Sequence, residues 1–523
     1  MSIRKVYLIF GYILAITGIS FRIYSIIPSI TNYPFWIGWS EPGRIFAAYQ
    51  VYAPLITGKY LSLPWLDPGR SILDGMVFLV PNLPIWAYRL WVNILFLVFN
   101  CLAAVLIVRK ALGLSTIPER QQKELVILLS LWGTLFLLQA PVYYHVLVGV
   151  IPVLWFYDEK HPVRNLVIII LCSMWQGLCR VNWFTMPAVV AVLLHVLRMP
   201  YTNKQIWKYI KWPLVYAIFG GVSSFAVFWL YIKTMGYVVP FLDPNMNYAY
   251  FLYKLWPNAG YIGLLPGIFL ISFPVLLITL LLVWKYRKKI HWPRQLVLAG
   301  ILGFFFAIST LISLRAGGGY DLHNYDTFLL LLLMTACFFG MDAVYWEEPG
   351  TWIQSVPVNL GVVALLLIIP TLVAYPKTSP QVYTANAQTA QALQEIKKTL
   401  QSSTVSVEHP ILFIDQRQLL VFHLLSDENI YIPYEKNELM EMAMARNQSA
   451  KQQFISDLEN HKFSFIVSEV LTIWAKHFDP NFFERDWYEN NVWVDFVGIP
   501  VLNYYMPVYI NRDFGVAIYV PKQ

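Results

Sequence analysis

The stretch Gly38-Trp39-Ser40-Glu41-Pro42-Gly43-Arg44 follows the first long apolar segment and opens a loop that runs from residue 29 to 87. Much of the chain from there to residue 374 is apolar, and in such a chain an ionisable residue is costly and therefore informative. Glu41 stands beside an arginine and a tryptophan, which suits chemistry at a membrane surface. Pro-Gly after Ser-Glu is also ordinary turn sequence, so an exposed, solvated Glu41 without a function stays open.

Composition is typical of a membrane protein. Hydrophobic residues make up 58% of the chain and charged residues 13%, whereas soluble domains are about 25% charged. The chain has 20 Trp, 33 Tyr and 33 Phe, which suits repeated crossings of a membrane interface. The net charge of +8 does not indicate a nucleic-acid partner, because the basic residues gather in particular loops between apolar segments.

Apolar segments long enough to cross about 30 Å of hydrocarbon predict about eleven spans. They lie near residues 6–28, 88–108, 124–140, 142–157, 164–178, 183–198, 213–232, 262–284, 295–314, 327–345 and 356–374. The pairs of segments at 124–157 and 164–198 are each split by a short polar break. The sequence therefore leaves open whether these segments are full spans or shorter or re-entrant helices. Basic residues gather in particular loops, and if the chain crosses the membrane eleven times these loops all lie on the same side of it. The positive-inside rule therefore predicts a cytoplasmic N-terminus and an extracytoplasmic C-terminal part.

The predicted fold is a polytopic α-helical membrane protein with a C-terminal extracytoplasmic α/β domain. Residues 1–375 form the transmembrane part with its long first outer loop, and residues 376–523 form the α/β domain. Within that domain, periodicity predicts helices at 385–401 and 435–460 and strands at 410–421, 463–467 and 515–520. We expect a multi-pass protein of the plasma (inner) membrane, in contact with membrane lipids.

The first outer loop carries further charged candidates beside Glu41, namely Arg44, Asp67, Arg70 and Asp74. Its apolar stretch at 71–80 is too short to cross a bilayer. A helix lying along the membrane surface is the better interpretation of that stretch.

A second candidate segment runs from Arg315 to Asp326, with the sequence Arg-Ala-Gly-Gly-Gly-Tyr-Asp-Leu-His-Asn-Tyr-Asp. Three glycines allow backbone N–H groups to approach an anion closely. Arg315 and His323 flank them and supply charge for a phosphate. A flexible turn between two spans explains the glycines equally well. Supporting candidates in the outer segments are His145, Arg180, Asn182, Asp321 and Asp326.

This architecture resembles the GT-C class, membrane glycosyltransferases that take sugars from polyprenyl phosphates. Segments 38–44, 180–183 and 317–326 are also similar to those of a bacterial group within that class. The resemblance implies that a carboxylate of the first outer loop acts as base or holds a metal, and Glu41 matches that position. Many members have an adjacent acidic pair where this chain has Ser40-Glu41. Because of that difference, the sequence leaves open whether a divalent cation is bound, and it predicts no cofactor with certainty.

The expected function is inverting transfer of a sugar from a polyprenyl-phosphate donor to a glycan, lipid or protein acceptor at the outer face. Such transfer needs a base opposite a departing phosphate that cations stabilise. Glu41 is the predicted base, and Arg315, His323 and Arg180 are predicted to bind the donor phosphate. Two alternatives stay open. One is a transporter or flippase of a lipid-linked or small polar substrate, for which repeated halves are expected; the other is a lipid-linked glycan ligase or polymerase.

Overall fold

In the computed structural model, helices make up 74% of the residues that the structure describes. The structure describes residues 3–58, 61–64, 67–112, 119–140, 142–199, 206–235, 248–257, 262–288, 290–315, 322–341, 344, 360–376, 382–401, 409–425, 429–479, 482–483 and 487–523. As far as residue 376, these include α1 (Ile3–Ile26), α2 (Glu41–Thr57), α3 (Pro68–Gly75), α4 (Ile85–Leu112), α5 (Glu119–Gln139), α6 (Tyr144–Phe156), α7 (Pro162–Gly177), α8 (Met186–Arg198), α9 (Ile206–Met235), α10 (Leu264–Tyr286), α11 (Trp292–Arg315), α12 (Asp326–Gly340) and α13 (Leu360–Ala374).

Each of the eleven predicted spans contains a helix, but fewer of these helices are long enough to cross a membrane. Seven stretches of the described residues meet the requirement of length and apolarity: Lys5–Ser29, Ile85–Leu112, Val181–Arg198, Ile206–Met235, Leu264–Tyr286, Trp292–Leu314 and Leu322–Gly340. The apolar helices Tyr144–Phe156 and Gly361–Ala374 are shorter. Thirteen residues of helix extend about 20 Å, less than the hydrocarbon thickness of about 30 Å. The prediction of eleven full-length spans was therefore too high.

The first outer loop is more helical than predicted. The expected surface helix at 71–80 is helical in the structure, as the end of α3 followed by a 3₁₀ turn at Met76–Leu79. The sequence did not predict α2. That helix has a proline in its first turn and ends at Gly58, whose φ of 69° is left-handed, the usual signals for a helix start and stop.

The C-terminal region forms a five-stranded sheet and a separate pair of strands, with helices. Its elements are α14 (Ala387–Gln401), β1 (Ile411–Phe413), α15 (Gln418–Val421), β2 (Ile430–Tyr431), α16 (Lys436–Met444), α17 (Gln448–Glu459), β3 (Phe465–Ser468), β4 (Phe478–Asp479), β5 (Phe482–Phe483), α18 (Trp487–Trp493), α19 (Ile499–Tyr504), β6 (Tyr505–Asn511) and β7 (Val516–Pro521). The five strands follow the order β2-β1-β3-β7-β6. β1 is parallel to β2 and β3, and β7 is antiparallel to β3 and β6.

The predicted elements of this region have mixed outcomes. The helix at 385–401 and the strands at 463–467 and 515–520 are confirmed as α14, β3 and β7. The helix at 435–460 is two helices, with Arg446 left-handed between them at φ 49°. The strand at 410–421 was wrong after Phe413, because the chain turns at Gln416 (φ 61°) and continues into α15.

Both faces of the sheet are buried at the strands β1 and β3, where successive side chains point to opposite faces. Leu412 and Ile466 face a cluster that includes α16 and α17. Ile411 and Phe465 face a second cluster that includes α14. Tyr33 and Phe35 of the first outer loop belong to the second cluster, and Phe35 stacks on Phe514 at 4.7 Å between ring centroids. The first outer loop is therefore part of the core of this sheet.

Packing divides the chain into two units. The helical unit contains residues 1–27, 93–231 and 251–380, and the sheet unit contains residues 28–92, 232–250 and 381–523. The predicted boundary at residue 375 concerns which part is embedded in the membrane, and it stays a prediction.

Candidate functional site

The predicted site residues fall into two groups that lie in different units. The sheet unit holds the first-loop group: Glu41, Arg44, Asp67, Arg70 and Asp74. The helical unit holds His145, Arg180, Asn182, His323 and Asp326. Asp321 and the side chain of Arg315 lie outside what the structure describes. Each group is described below by itself.

Glu41 forms a two-point ion pair with Arg89, near the start of α4. Arg89 Nε donates to Glu41 Oε1 at 2.8 Å, and Nη2 donates to Oε2 at 3.1 Å. The backbone N–H of Ile37 also donates to Oε2, at 2.7 Å. Two parallel N–H···O bonds between a guanidinium and a carboxylate form one of the strongest side-chain contacts in proteins. The sequence analysis missed Arg89, which stands at the edge of an apolar segment.

Arg89 also binds three main-chain carbonyls of the first loop. Its Nη1 donates to Thr31 O and Tyr33 O, each at 2.8 Å, and its Nη2 donates to Phe35 O at 3.1 Å. All five guanidinium N–H groups therefore have an acceptor. The pair holds the 31–37 segment, and with it the aromatic rings that enter the core of the sheet.

The alternative that Glu41 is merely exposed and solvated does not hold. The residue is 7% exposed and Arg89 is 3% exposed. Glu41 begins α2, and burial follows because the helix packs its first residues inward: Pro42 and Gly43 are buried too. A Cβ on Gly43 would clash with the side-chain ends of Glu435 and Asn437, so a larger residue here would have to displace them. Whether Glu41 acts as a base stays a prediction.

The other first-loop candidates occupy separate places. Arg44 is exposed on α2. Arg70 Nη1 lies 3.1 Å from Asp67 Oδ2, and both side chains are 19% exposed. Asp74 is buried on α3, close enough to Tyr88 of α4 to interact with it electrostatically. The structure therefore brings Asp67 together with Arg70 and leaves Arg44 facing solvent.

In the helical unit, Asp326 is completely buried and forms two hydrogen bonds. Trp183 Nε1 donates to Asp326 Oδ2 at 2.7 Å, and the backbone N–H of Thr327 donates to Oδ1 at 2.7 Å. Trp183 is also fully buried and lies in the 3₁₀ turn Val181–Trp183 just before α8. The contact joins the starts of α8 and α12.

Arg180 and His323 are both partly exposed and lie against aromatic rings at the same place. The guanidinium carbon of Arg180 is 5.4 Å from the centre of the Trp183 ring and 5.9 Å from that of Tyr143. The ring of His323 meets Tyr143 edge-on at 5.5 Å. Buried His145 lies parallel to Trp183, with ring centres 6.2 Å apart. These residues form what we call the aromatic–cation cluster: Tyr143, His145, Arg180, Trp183, His323 and Asp326.

The cluster lies where three helices begin. Tyr143 directly precedes α6, Thr185 directly precedes α8 and Tyr325 directly precedes α12. Helix N-termini carry partial positive charge and favour anions. Asn182 adds a side-chain amide whose buried Nδ2 has no hydrogen-bond partner among the described residues. The arrangement suits an anionic group with a polar ring attached.

A buried charge network lies at the carboxyl ends of β1 and β3 in the sheet unit. Lys436 Nζ is 3.0 Å from Asp415 Oδ2 and 2.6 Å from Glu469 Oε2. The same ammonium lies 5.4 Å from the ring centre of Trp36 and 4.8 Å from that of Trp39. Ligands of open α/β sheets commonly bind beyond the carboxyl ends of parallel strands. Here, residues of the first loop cover that position.

Glu435 stands next to this network and caps the N-terminus of α16. Its Oε2 accepts the backbone N–H groups of Asn437 at 2.8 Å and Glu438 at 3.3 Å. Burial raises the pKa of Glu435 to about 7, although the Arg417 guanidinium opposes the shift. A carboxyl that changes its charge near neutral pH therefore packs against Gly43 of the first loop.

The sheet unit also contains a cavity of about 590 Å³ beside the start of α4. Tyr49, Phe78 and Phe422 provide aromatic walls, and Asn82 and His423 provide polar groups. Asn82 and His423 are both left-handed, with φ of 52° and 54°. Such a conformation is unfavourable for residues other than glycine and tends to occur at functional sites. The size and lining suit a ligand with both polar and apolar parts.

No group of three or more His, Cys, Asp and Glu residues with the geometry of a metal site occurs in the part of the chain that the structure describes. Comparisons with protein-family models and with curated proteins give no match.

Proposed function

We propose that the protein transfers a sugar from a polyprenyl-phosphate donor to an acceptor at the outer face of a membrane, as a glycosyltransferase of the GT-C kind. The observation that carries the proposal is the aromatic–cation cluster at the start of two candidate spans, Val181–Arg198 and Leu322–Gly340. A lipid-linked phosphate needs such a position, with cations for its head and apolar helices for its chain.

The donor phosphate would bind Arg180 and His323, and the helix N-termini beside them would add to the attraction. Arg315 ends α11 shortly before His323 in the chain, and the proposal gives it the same role. Aromatic rings commonly pack against sugar rings, and Tyr143 provides a partly exposed ring beside both cations. As the sugar leaves, negative charge grows on the phosphate, and fixed cations stabilise it without reorganisation.

Glu41 stays the candidate base, with a condition that the geometry adds. Both of its oxygens accept hydrogen bonds from Arg89 or Ile37. Oε1 accepts only one of them and keeps a lone pair that can take a proton, so the condition is that protonation gives up the charge of the ion pair with Arg89. The alternative within the proposal is that Glu41 positions the first loop and takes no proton. The two roles respond differently to substitution.

The acceptor is assigned to the cavity of about 590 Å³ in the sheet unit. Its wall includes Ile85, the first residue of the candidate span Ile85–Leu112. Exposed apolar residues lie close by in the chain, with Leu79 and Val80 each 56% exposed. A glycan carried on a lipid matches a cavity that adjoins such a surface, because its apolar part can stay in the membrane.

Transfer by the purified full-length protein tests the proposal. Detergent-solubilised protein is incubated with a panel of polyprenyl-phosphate sugars and lipid-linked acceptors, and released polyprenyl phosphate is measured. We expect release with at least one donor. Arg180→Gln should raise the donor KM ~10-fold or more, because a hydrogen bond to a charged group contributes ~1.5–3 kcal/mol. Arg287→Gln is the control, since Arg287 is an exposed arginine remote in the chain from the cluster.

Two results would contradict the proposal. One is the absence of polyprenyl phosphate release from every donor. The other is an equal effect of Arg180→Gln and Arg287→Gln on the donor KM. Movement of an intact lipid-linked substrate across the bilayer of proteoliposomes, without release of the sugar, would instead support the transporter or flippase alternative.

A further inference from the structure

A second polar cavity, of about 400 Å³, lies in the helical unit where α4, α6 and α8 end and α7 begins. The sequence analysis assigned no function to these residues beyond membrane orientation. The wall contains five charged side chains and three aromatic ones: Lys110, Asp158, Glu159, Arg164 and Arg198, with Trp155, Phe156 and Tyr157.

Three cations line this cavity, and each keeps N–H groups for a ligand. Lys110 Nζ donates to Tyr157 O at 2.6 Å, and Arg164 Nη2 donates to Phe156 O at 2.7 Å. Arg198 Nε lies 2.5 Å from Glu159 Oε1. An ammonium has three donors and a guanidinium has five, so these contacts use only part of their capacity.

Two carboxylates offset part of the positive charge. Glu159 pairs with Arg198, and Asp158 Oδ2 lies 3.7 Å from Arg164 Nη2 and 2.7 Å from His161 Nδ1. Three cations against two carboxylates leave the cavity wall with an excess of positive charge. An anion that enters is therefore attracted, and the carboxylates limit how tightly it binds.

The Tyr157 hydroxyl provides an independent indication of a ligand. Tyr157 is 3% exposed, and its hydroxyl has no hydrogen-bond partner among the described residues. A buried hydroxyl without a partner is costly. Because Tyr157 belongs to the cavity wall, an oxygen-bearing ligand within the cavity can supply the missing contact.

We propose that this cavity binds the phosphate group of an anionic phospholipid. Phosphate oxygens match the donors of Lys110, Arg164 and Arg198. The lipid source is favoured by Trp155 and Phe156, which are 58% and 52% exposed at the end of an apolar helix. Basic pockets between membrane helices are typical sites for anionic lipid head groups. Free phosphate offers the same oxygens and is the alternative source.

Native mass spectrometry of the full-length protein in detergent tests the proposal. Phosphatidylglycerol is titrated against zwitterionic phosphatidylcholine, and bound lipid is counted. We expect one tightly held phosphatidylglycerol, with Arg164→Gln weakening its binding ~10-fold, as loss of a charge-assisted contact implies. Arg164 is the suitable first variant because its side chain is 48% exposed, so its replacement should leave the fold intact.

Arg287→Gln is a matched control. Arg287 is likewise an exposed arginine that donates to a main-chain carbonyl near a helix end, Trp284 O at 2.8 Å. Its replacement should leave phosphatidylglycerol binding unchanged. If Arg287→Gln weakens binding as much as Arg164→Gln does, or if the wild type does not prefer phosphatidylglycerol to phosphatidylcholine, the proposal is overturned.

Glu159→Gln provides a test of opposite sign. It removes a negative charge from the cavity wall and frees Arg198, so the variant should bind phosphatidylglycerol more tightly than the wild type does. A merely structural Glu159 would weaken binding when replaced, which would count against the site. Inorganic phosphate identifies the source. If it displaces the lipid at millimolar concentration, free phosphate is the ligand and the lipid assignment fails.

Discussion

The ion pair between Glu41 and Arg89 gives the sharpest prediction. Glu41→Gln keeps the size of the side chain and one carbonyl oxygen, but it removes the negative charge that Arg89 faces at 2.8 and 3.1 Å. Arg89 stays buried and keeps its bonds to three main-chain carbonyls. We expect the 31–37 segment to open more easily, because a buried cation is left without its counter-charge.

The magnitude follows from burial. Removing one partner of a buried ion pair costs ~3–5 kcal/mol, and the retained amide and carbonyl contacts favour the lower end of that range. About 3 kcal/mol corresponds to a ~100-fold larger opening equilibrium. Hydrogen exchange measures this directly, since the N–H of Ile37 is bonded to Glu41 itself. Amides of the segment should exchange ~100-fold faster when opening limits exchange.

The matched control is Asp67→Asn in the same loop. Asp67 pairs with Arg70 at 3.1 Å, but both side chains are 19% exposed and only three residues apart in the chain, so water can still reach the charge that is left when its partner is replaced. Exchange should therefore change little in this variant. If Glu41→Gln leaves the exchange of Ile37 as slow as in the wild type, the ion pair does not hold the loop and this reasoning fails.

The double variant Glu41→Gln/Arg89→Gln separates a base from a positioning residue. Two neutral amides can hydrogen-bond without a buried charge, so part of the lost exchange protection should return. Sugar transfer that recovers together with protection would assign Glu41 to positioning. Transfer that stays ~10²-fold low while protection recovers would assign Glu41 as the base, because a general base contributes ~10²–10⁴ in rate.

Three further predictions concern single contacts. Gly43→Ala should lower stability by ~1–3 kcal/mol through overpacking against Glu435, measured by thermal unfolding, whereas Gly38→Ala should be neutral because nothing lies within 4 Å of the added Cβ. The pKa of Glu435 is raised from 4.5 to about 7 in the folded protein, so the folded state binds this proton more tightly. The stabilisation of the folded state by this proton is fully present below pH 4.5 and is lost as the pH rises to about 7. Glu435→Gln should remove this part of the pH dependence of the free energy of unfolding, and an unchanged pH profile would contradict the assignment. Trp183→Phe should lower the unfolding temperature, because Asp326 loses its donor at 2.7 Å at a cost of ~1–3 kcal/mol; an unaltered unfolding temperature would show that the buried contact adds nothing.

The helical part of the fold was predictable because local sequence determines it. Long apolar runs specify helices wherever they occur, so all eleven predicted segments contain one. The number of spans was overestimated because some of these helices are too short to cross the hydrocarbon layer. The helix within 142–157, for example, begins at Tyr144 and ends at Phe156. In the C-terminal region, Gln416 adopts a left-handed conformation that no short-range pattern indicates, and the predicted strand was therefore too long.

The site was predictable only in part, because its contacts join distant residues. Arg180, His323 and Asp326 were singled out as charges beside apolar segments, and the structure brings them together. Arg89 was missed because it stands at the start of an apolar segment and is 48 residues from Glu41 in the sequence. An arginine at the edge of a span was the available signal. The packing of Gly43 on Glu435 had no sequence signal, since almost 400 residues separate them.

The composition of the sheet unit has a consequence for biosynthesis. Residues 28–92 leave the ribosome early, whereas their packing partners begin at residue 381, roughly 290 residues later. Gln418 follows Pro34 by 384 residues and Phe514 follows Phe35 by 479. At ~5–20 residues per second, the first loop waits about 20–75 s before Gln418 can donate to Pro34 O and about 25–95 s before Phe35 can meet Phe514. During that interval its aromatic side chains remain uncovered. The nascent loop is therefore a natural client for a chaperone or for the insertion machinery, until the last strand has been translated.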